Sequence, residues 1–184
     1  MVSDNILMAQ SLFRLLLHDS QTLRQHQPAS PYSAARAGLL GSTRLFRRDP
    51  LLAGATAAQL LALRAAAVEV SLTSGVAVFD FDAPPATFQV LEGEIRLEAS
   101  DQAPILVSSG ATFGVADTLA GTPSKWRAIA TASGRVLRLD RDDLFAVMAD
   151  HVDLMQNLFR EALKLRDEEQ SAAAANESQH PFFA

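Results

Sequence analysis

Cysteine is missing altogether from the 184 residues. Its absence excludes a disulfide framework, a thiolate nucleophile and a Cys-ligated zinc site. Histidine is scarce: His18, His26, His151 and His180 all lie outside the part of the chain that reads as β. A cupin-type metal site needs imidazoles and a carboxylate converging inside a barrel, and a serine triad needs a histidine beside its nucleophile. Neither can be assembled from this sequence, which also has no Gly-x-Ser-x-Gly elbow and no Walker phosphate loop. Glu92, Glu94 and Glu98 sit on one strand-like segment and read as a solvated face rather than an acid/base pair. No catalytic and no metal-ligating residue is assigned, and the chain reads as a non-enzyme. Long hydrophobic runs are lacking too; those at 15–17 and 65–68 fall far short of the roughly 20 residues that span a bilayer. The start has neither a basic n-region nor a small-residue cleavage site. The expectation is a soluble, cytoplasmic chain without membrane insertion. Positive charge is in deficit, 16 Lys and Arg against 21 Asp and Glu, for a net charge of -5 and a pI near 5.3. A dedicated nucleic-acid binder carries a basic face, so no nucleic acid is expected as a partner.

What is present is apolar substance, 48% of residues, enough for a real core. Residues 5–25 carry Ile6, Leu7, Leu12, Phe13, Leu16, Leu17 and Leu23 at helical spacing. The wide apolar face of this helix calls for burial on its own domain, on a second copy or in a larger parent protein. A linker with two prolines follows at 27–33, then a short helix at 34–46. Arg36, Arg44, Arg47 and Arg48 there read as a solvated face, with contact to an acidic partner as the alternative. Thr56 caps a helix running to 67 whose buried side is Leu60, Leu61 and Leu63. The texture then changes to short β-branched and aromatic segments at 68–72, 76–81, 87–91, 94–98, 105–107, 126–131 and 135–139. Glu92-Gly93 reads as a tight turn and Ala132-Ser133-Gly134 as a second one. Short strands at regular spacing imply a sandwich or barrel, best a two-sheet jelly roll. Helices close the chain at 143–149 and 152–168, and 169–184 reads as a disordered tail.

The chain is organised around residues 113–128, FGVADTLAGTPSKWRA. Gly110, Gly114 and Gly121 bracket this loop, and glycine lets backbone amides turn inward toward an anion. A helical turn at 116–120 brings further free N–H groups, and Ser124, Lys125 and Arg127 follow. The candidate ligand-binding residues are Gly114, Val115, Ala116, Ser124, Lys125 and Arg127. A structural, turn-rich connection is the competing reading.

From Phe46 to Arg166, about two-thirds of the chain, the order of motifs resembles the cyclic nucleotide-binding domain, the regulatory β-roll of the catabolite-activator type. Gly75 with the segment to Phe79 is similar to a Gly-x-x-Ile-Phe strand, and DFDAPPATF at 80–88 to an acidic stretch ending in an aromatic residue. VLEGEIRL at 90–97 is similar to a Val-x-x-Gly-x-Val segment. GATFG at 110–114 resembles the Gly-x-x-Phe-Gly that opens the phosphate-binding cassette, and VLRLDRDDLF at 136–145 the strand and helix that close the roll. The resemblance implies a mainly β fold with flanking helices (α+β), a double-stranded β-helix or jelly roll, over residues 46–168, preceded by a helical segment and linker at 1–45. It implies cyclic nucleotide as ligand, held by a Glu that accepts the ribose hydroxyl and an Arg that pairs with the cyclic phosphate. Val115 stands at the Glu position, and Ser124 or Pro123 at the Arg position; Arg127 comes three residues late. The cassette is therefore degenerate, and the expected function is a non-enzymatic regulatory or interaction module unable to bind cyclic nucleotide in the usual way.

Two further readings stand beside it. One is a sensor of cyclic AMP, cyclic GMP or another small anion through a non-standard cassette. The other is a regulatory subunit or fragment of a larger transporter, channel or helical-repeat protein. Expected partners are a second copy, through the helix between Val152 and Arg166, and a larger protein through the N-terminal helices. No helix-turn-helix follows that C-terminal helix in the sequence, so direct transcription control is not expected.

Overall fold

The computed structural model describes residues 2–17, 49–100 and 102–177. The linker read at 27–33, the helix at 34–46 with its arginine cluster, and the end of the first helix beyond 17 lie outside them. Helix α1 is Val2–Leu17. A 3-10 turn at Pro50–Leu52 follows, capped by Asp49, whose carboxylate accepts the Leu51 N–H at 2.9 Å. Helix α2 is Ala57–Ala66. Thr56 Oγ1 accepts the Gln59 N–H, and Gln59 Oε1 accepts the Thr56 N–H, so two N-terminal amides are satisfied reciprocally.

The strands are β1 (Val68–Leu72), β2 (Ala77–Phe79), β3 (Ala86–Glu98), β4 (Ile105–Ser108), β5 (Thr112–Phe113) and β6 (Arg127–Asp140), with helix α3 (Val115–Ala120) between β5 and β6. All their pairings are antiparallel. The expected mainly β architecture with flanking helices is present, as one six-stranded sheet in the path β1-β6-β3-β4 with β2 on β6 and β5 on β3.

The long strands β3 and β6 pair from Ala86↔Asp140 to Glu98↔Arg127 and each serves two halves of the roll. The first half of β3 lies between β5 and the end of β6, where β1 also pairs. The second half lies between β4 and the start of β6, where β2 pairs. This corrects the sequence reading of two tight turns. Glu92-Gly93 and Ala132-Ser133-Gly134 do not reverse the chain; they face each other across the β3–β6 pair, where the register shifts. A β-bulge bends a strand and raises its twist without ending it. At Gly134 a Cβ would lie 2.1 Å from the Glu92 carbonyl oxygen, so the bend admits only glycine there.

Two cores result. Val90, Ile95, Ala128, Ala130 and Val136 fill the interior of the roll. Leu137 and Leu139 turn the other way, as period-two alternation requires, into a second core with Phe13, Leu63, Leu119, Leu144 and Leu154. Helices α4 (Arg141–Asp150) and α5 (Val152–Glu177) complete that layer. Phe13 of α1 stacks on Phe159 of α5, 3.9 Å between centroids and 9° between planes, and meets Phe145 edge-on at 6.3 Å. The apolar stripe of α5, Leu154, Leu158 and Ala162, is thus fully buried within the chain. Its outward face carries Gln156, Arg160 and Lys164, with Val152 and Leu163 as exposed apolar residues. Helix α5 also continues through 169–177, where the sequence reading begins a disordered tail. The alanine run at 172–175 explains the difference, since alanine is the strongest helix former.

Candidate functional site

Helix α3 is the pivot of the site. It begins at Gly114, φ +82°, and ends at Gly121, φ +70°. A Cβ on Gly114 would sit 2.5 Å from the Ala86 carbonyl oxygen, in a left-handed conformation that side chains resist. The Gly114 carbonyl accepts both the N–H and the hydroxyl of Thr118, at 2.9 and 2.6 Å. Thr87 Oγ1 lies 3.0 Å from Thr118 Oγ1 and ties α3 to β3.

The far end of α3 is held by two arginines. Arg14 Nε donates to the Ala120 carbonyl at 3.3 Å, and Arg141 Nε to the Thr118 carbonyl at 3.1 Å. Cations suit a helix C-terminus, where the last carbonyls lack partners. The Arg141 guanidinium also lies 4.7 Å over the Phe145 ring. Burial, then the neighbouring charge of Arg14, lowers its pKa from the ordinary arginine value; an arginine still stays charged at any working pH.

The near end of α3 opens onto a cavity of about 60 Å³. Its floor is aromatic: Phe79, Phe88 and Phe113 form a three-ring cluster, with centroids 5.0, 5.2 and 6.4 Å apart, joined in the lining by Trp126 and Leu97. Pro84 and Pro85 form one side, the turn at Pro50 and Leu51 another. The wall is braced, because the Asp82 N–H donates to the Ser124 carbonyl at 2.9 Å and the Ser124 N–H to the Ala83 carbonyl at 3.1 Å.

Of the residues singled out from the sequence, Gly114, Val115, Ala116 and Ser124 line this cavity. Val115, 3% exposed, belongs to the helical core and offers no acceptor. Ser124 Oγ accepts the Trp126 N–H at 3.1 Å and donates to the Trp126 carbonyl at 3.0 Å, so its hydroxyl serves the local turn. Lys125 is exposed and lies outside the lining. Arg127 also lies outside it, with Nε 3.7 Å from Asp80 Oδ1. No Lys or Arg among the described residues lines the cavity; the ionisable side chains that do are Asp49 and Asp117. Asp117 Oδ1 accepts the Thr122 hydroxyl at 3.1 Å.

Sequence reasoning missed the aromatic floor. Phe79 and Phe88 enter the resemblance only as motif residues, at the ends of the segments 75–79 and 80–88. The signal was there in the alternation of Phe88 and Val90, which puts both on one face, inside the roll.

No family model matches the chain, and no curated protein does. Solved structures do. The N-terminal domain of a transcriptional regulator from Streptomyces coelicolor superposes with a TM-score of 0.63 at 23% identity, over 70% of this chain and 96% of that one. A cyclic nucleotide-binding-like protein from Brucella abortus gives 0.51 at 22% identity, over 58% and 97%. The catabolite activator protein of Thermus thermophilus gives 0.54 at 22% identity, over 70% of this chain and 63% of that one. The fold is the β-roll of cyclic nucleotide-binding regulators, as the motif order implies.

Proposed function

We propose that this chain is a non-enzymatic regulatory module built on the cyclic nucleotide-binding roll, and that its cassette does not bind cyclic nucleotide in the usual way. The observation that carries the proposal is the chemistry at two positions. Val115 is buried and apolar where the family places its ribose-binding Glu, and the Ser124 hydroxyl is engaged with Trp126 where the family places its phosphate-binding Arg. A cyclic phosphate leaving water needs a paired charge or several donors. Charge-assisted hydrogen bonds are worth about 1.5–3 kcal/mol each, so losing both removes orders of magnitude in affinity. Calorimetry with cyclic AMP and cyclic GMP tests this: no heat of binding is expected at micromolar protein, and a dissociation constant below micromolar for either overturns the reading.

A regulatory module needs a surface to act through, and the outward face of α1 supports the N-terminal helix in that role. Leu7, Met8, Leu12 and Leu15 are 61%, 60%, 43% and 73% exposed there. Contiguous apolar surface of this kind marks interaction sites on soluble domains. No helix among the described residues is long and apolar enough to cross a membrane.

A further inference from the structure

The cavity beside α3 is more than a place where charges are missing. Its positive content is an aromatic floor of Phe79, Phe88, Phe113 and Trp126, with Leu97 beneath and prolines at one side. We infer that this cavity is a binding site for an uncharged small molecule built on one aromatic ring. The inference rests on the reading that the cassette does not hold cyclic nucleotide, and it names the ligand class that replaces it.

Three observations lead there. The first is lining chemistry. A ring entering beside Phe79, Phe88 and Phe113 joins a cluster whose centroid spacings are 5.0, 5.2 and 6.4 Å, within the separation at which aromatic pairs attract beyond simple burial. The second is charge. An anion meets no Lys or Arg among the described lining residues. Asp49 and Asp117 line it, each accepting a hydrogen bond, from the Leu51 N–H and the Thr122 hydroxyl, and keep further acceptor capacity, so a cationic ring is the competitor that the test must include. A neutral ring leaves no charge to compensate, and the desolvation cost that excludes the nucleotide does not apply to it. The third is size. The cavity measures about 60 Å³, several times the roughly 10–15 Å³ one water requires and below the roughly 150 Å³ that encloses benzene entirely. One ring is therefore held in part, with its other edge at the open side, where Phe79 and Phe113 are half-buried and Pro84 is exposed.

Trp126 is the single tryptophan of the chain, so the site carries its own reporter. The experiment titrates the full chain with benzyl alcohol, benzoate and benzylamine, following Trp126 fluorescence, with N-acetyltryptophanamide as the solvent control and cyclic AMP and cyclic GMP run in parallel. Benzyl alcohol is expected to give a saturable change, and benzoate and benzylamine to bind at least ten-fold more weakly. Phe79→Ala, with its fold checked by circular dichroism, is expected to weaken benzyl alcohol at least five-fold. Leu106→Ala, on the exposed face of β4, is expected to leave it unchanged. The absence of a saturable benzyl alcohol signal, or benzoate or benzylamine binding as tightly as the alcohol, overturns the inference. With the nucleotides silent, such a failure leaves the regulatory reading standing. Tight cyclic nucleotide binding overturns that reading, and this inference with it.

Discussion

The two ends of helix α3 differ in the kind of chemistry they carry. At its C-terminal end, Arg14 and Arg141 donate to the carbonyls of Ala120 and Thr118, joining α1 and α4 to the cassette. At its N-terminal end, Gly114 keeps the tight approach to Ala86, but the residues beyond it turn apolar and aromatic. The backbone at Gly114 is tightly placed and α3 is well braced, while the described arginines beside α3 lie at its C-terminal end and none lines the cavity. The difference teaches that backbone frame and lining chemistry are two separable things. The backbone geometry depends on packing and glycine, and the ligand depends on a few side chains that can change without disturbing it.

The largest effect should come from attacking the frame itself. Leu119 is fully buried under α3, and Leu119→Ala is expected to cost about 2–5 kcal/mol in urea unfolding, as buried leucine truncations do. A loss below about 1 kcal/mol would mean that α3 is not held by its core face. Next comes restoring charge at the open end. Val115→Glu combined with Ser124→Arg is expected to raise cyclic AMP affinity at least ten-fold over the parent by calorimetry, about 1.4 kcal/mol. If the double variant folds, by circular dichroism, and gains no affinity, the frame is not that of a dormant phosphate site.

A smaller effect is expected at the clamped end. Arg141→Ala removes one charge-assisted hydrogen bond and the contact with Phe145. Its partial exposure limits the loss to about 1 kcal/mol, and Trp126 fluorescence should stay as in the parent. A change at Trp126 would show that the two ends are coupled. The smallest effect belongs to neither end. At the bend of β3, the hydrogen bond from Arg135 holds the Glu92 carboxyl below the usual carboxylate range. A carboxyl depressed in the folded state contributes stability above its unfolded pKa and loses it as pH falls through the folded pKa. Glu92→Gln is therefore expected to lower the denaturant midpoint slightly at pH 7, with the gap closing below pH 4, and a constant gap would remove Arg135 as the cause.

Much of the fold was legible because its signals are local. The Thr56 and Gln59 cap, the alternation of Ile95 and Leu97, and the glycines at 110 and 114 each depend on neighbours a few residues away. The bends at Glu92-Gly93 and Ala132–Gly134 were misread as turns because a bulge and a hairpin use the same residues. Only the partner strand, some forty positions distant, distinguishes them. At 169–177, where the sequence reading starts a disordered tail, composition suited a solvated segment, while the preceding helix allows the alanines to continue it; residues 178–184 lie outside the described ones.

The residues alone determined that this protein has no cysteine and no histidine in its β region, and that short strands flanked by helices make up most of the chain. Those conclusions follow from which atoms exist and from spacing along the chain. Only the tertiary structure decided that Ser124 spends its hydroxyl on Trp126, that Arg127 faces Asp80, and that Phe79, Phe88, Phe113 and Trp126 meet at one end of α3. These depend on how distant segments are brought together, because burial and pairing belong to the folded arrangement and not to any stretch of sequence. The stretch at 113–128 specifies one wall of the cavity; what that wall faces is set by β2, β3 and the loop between them.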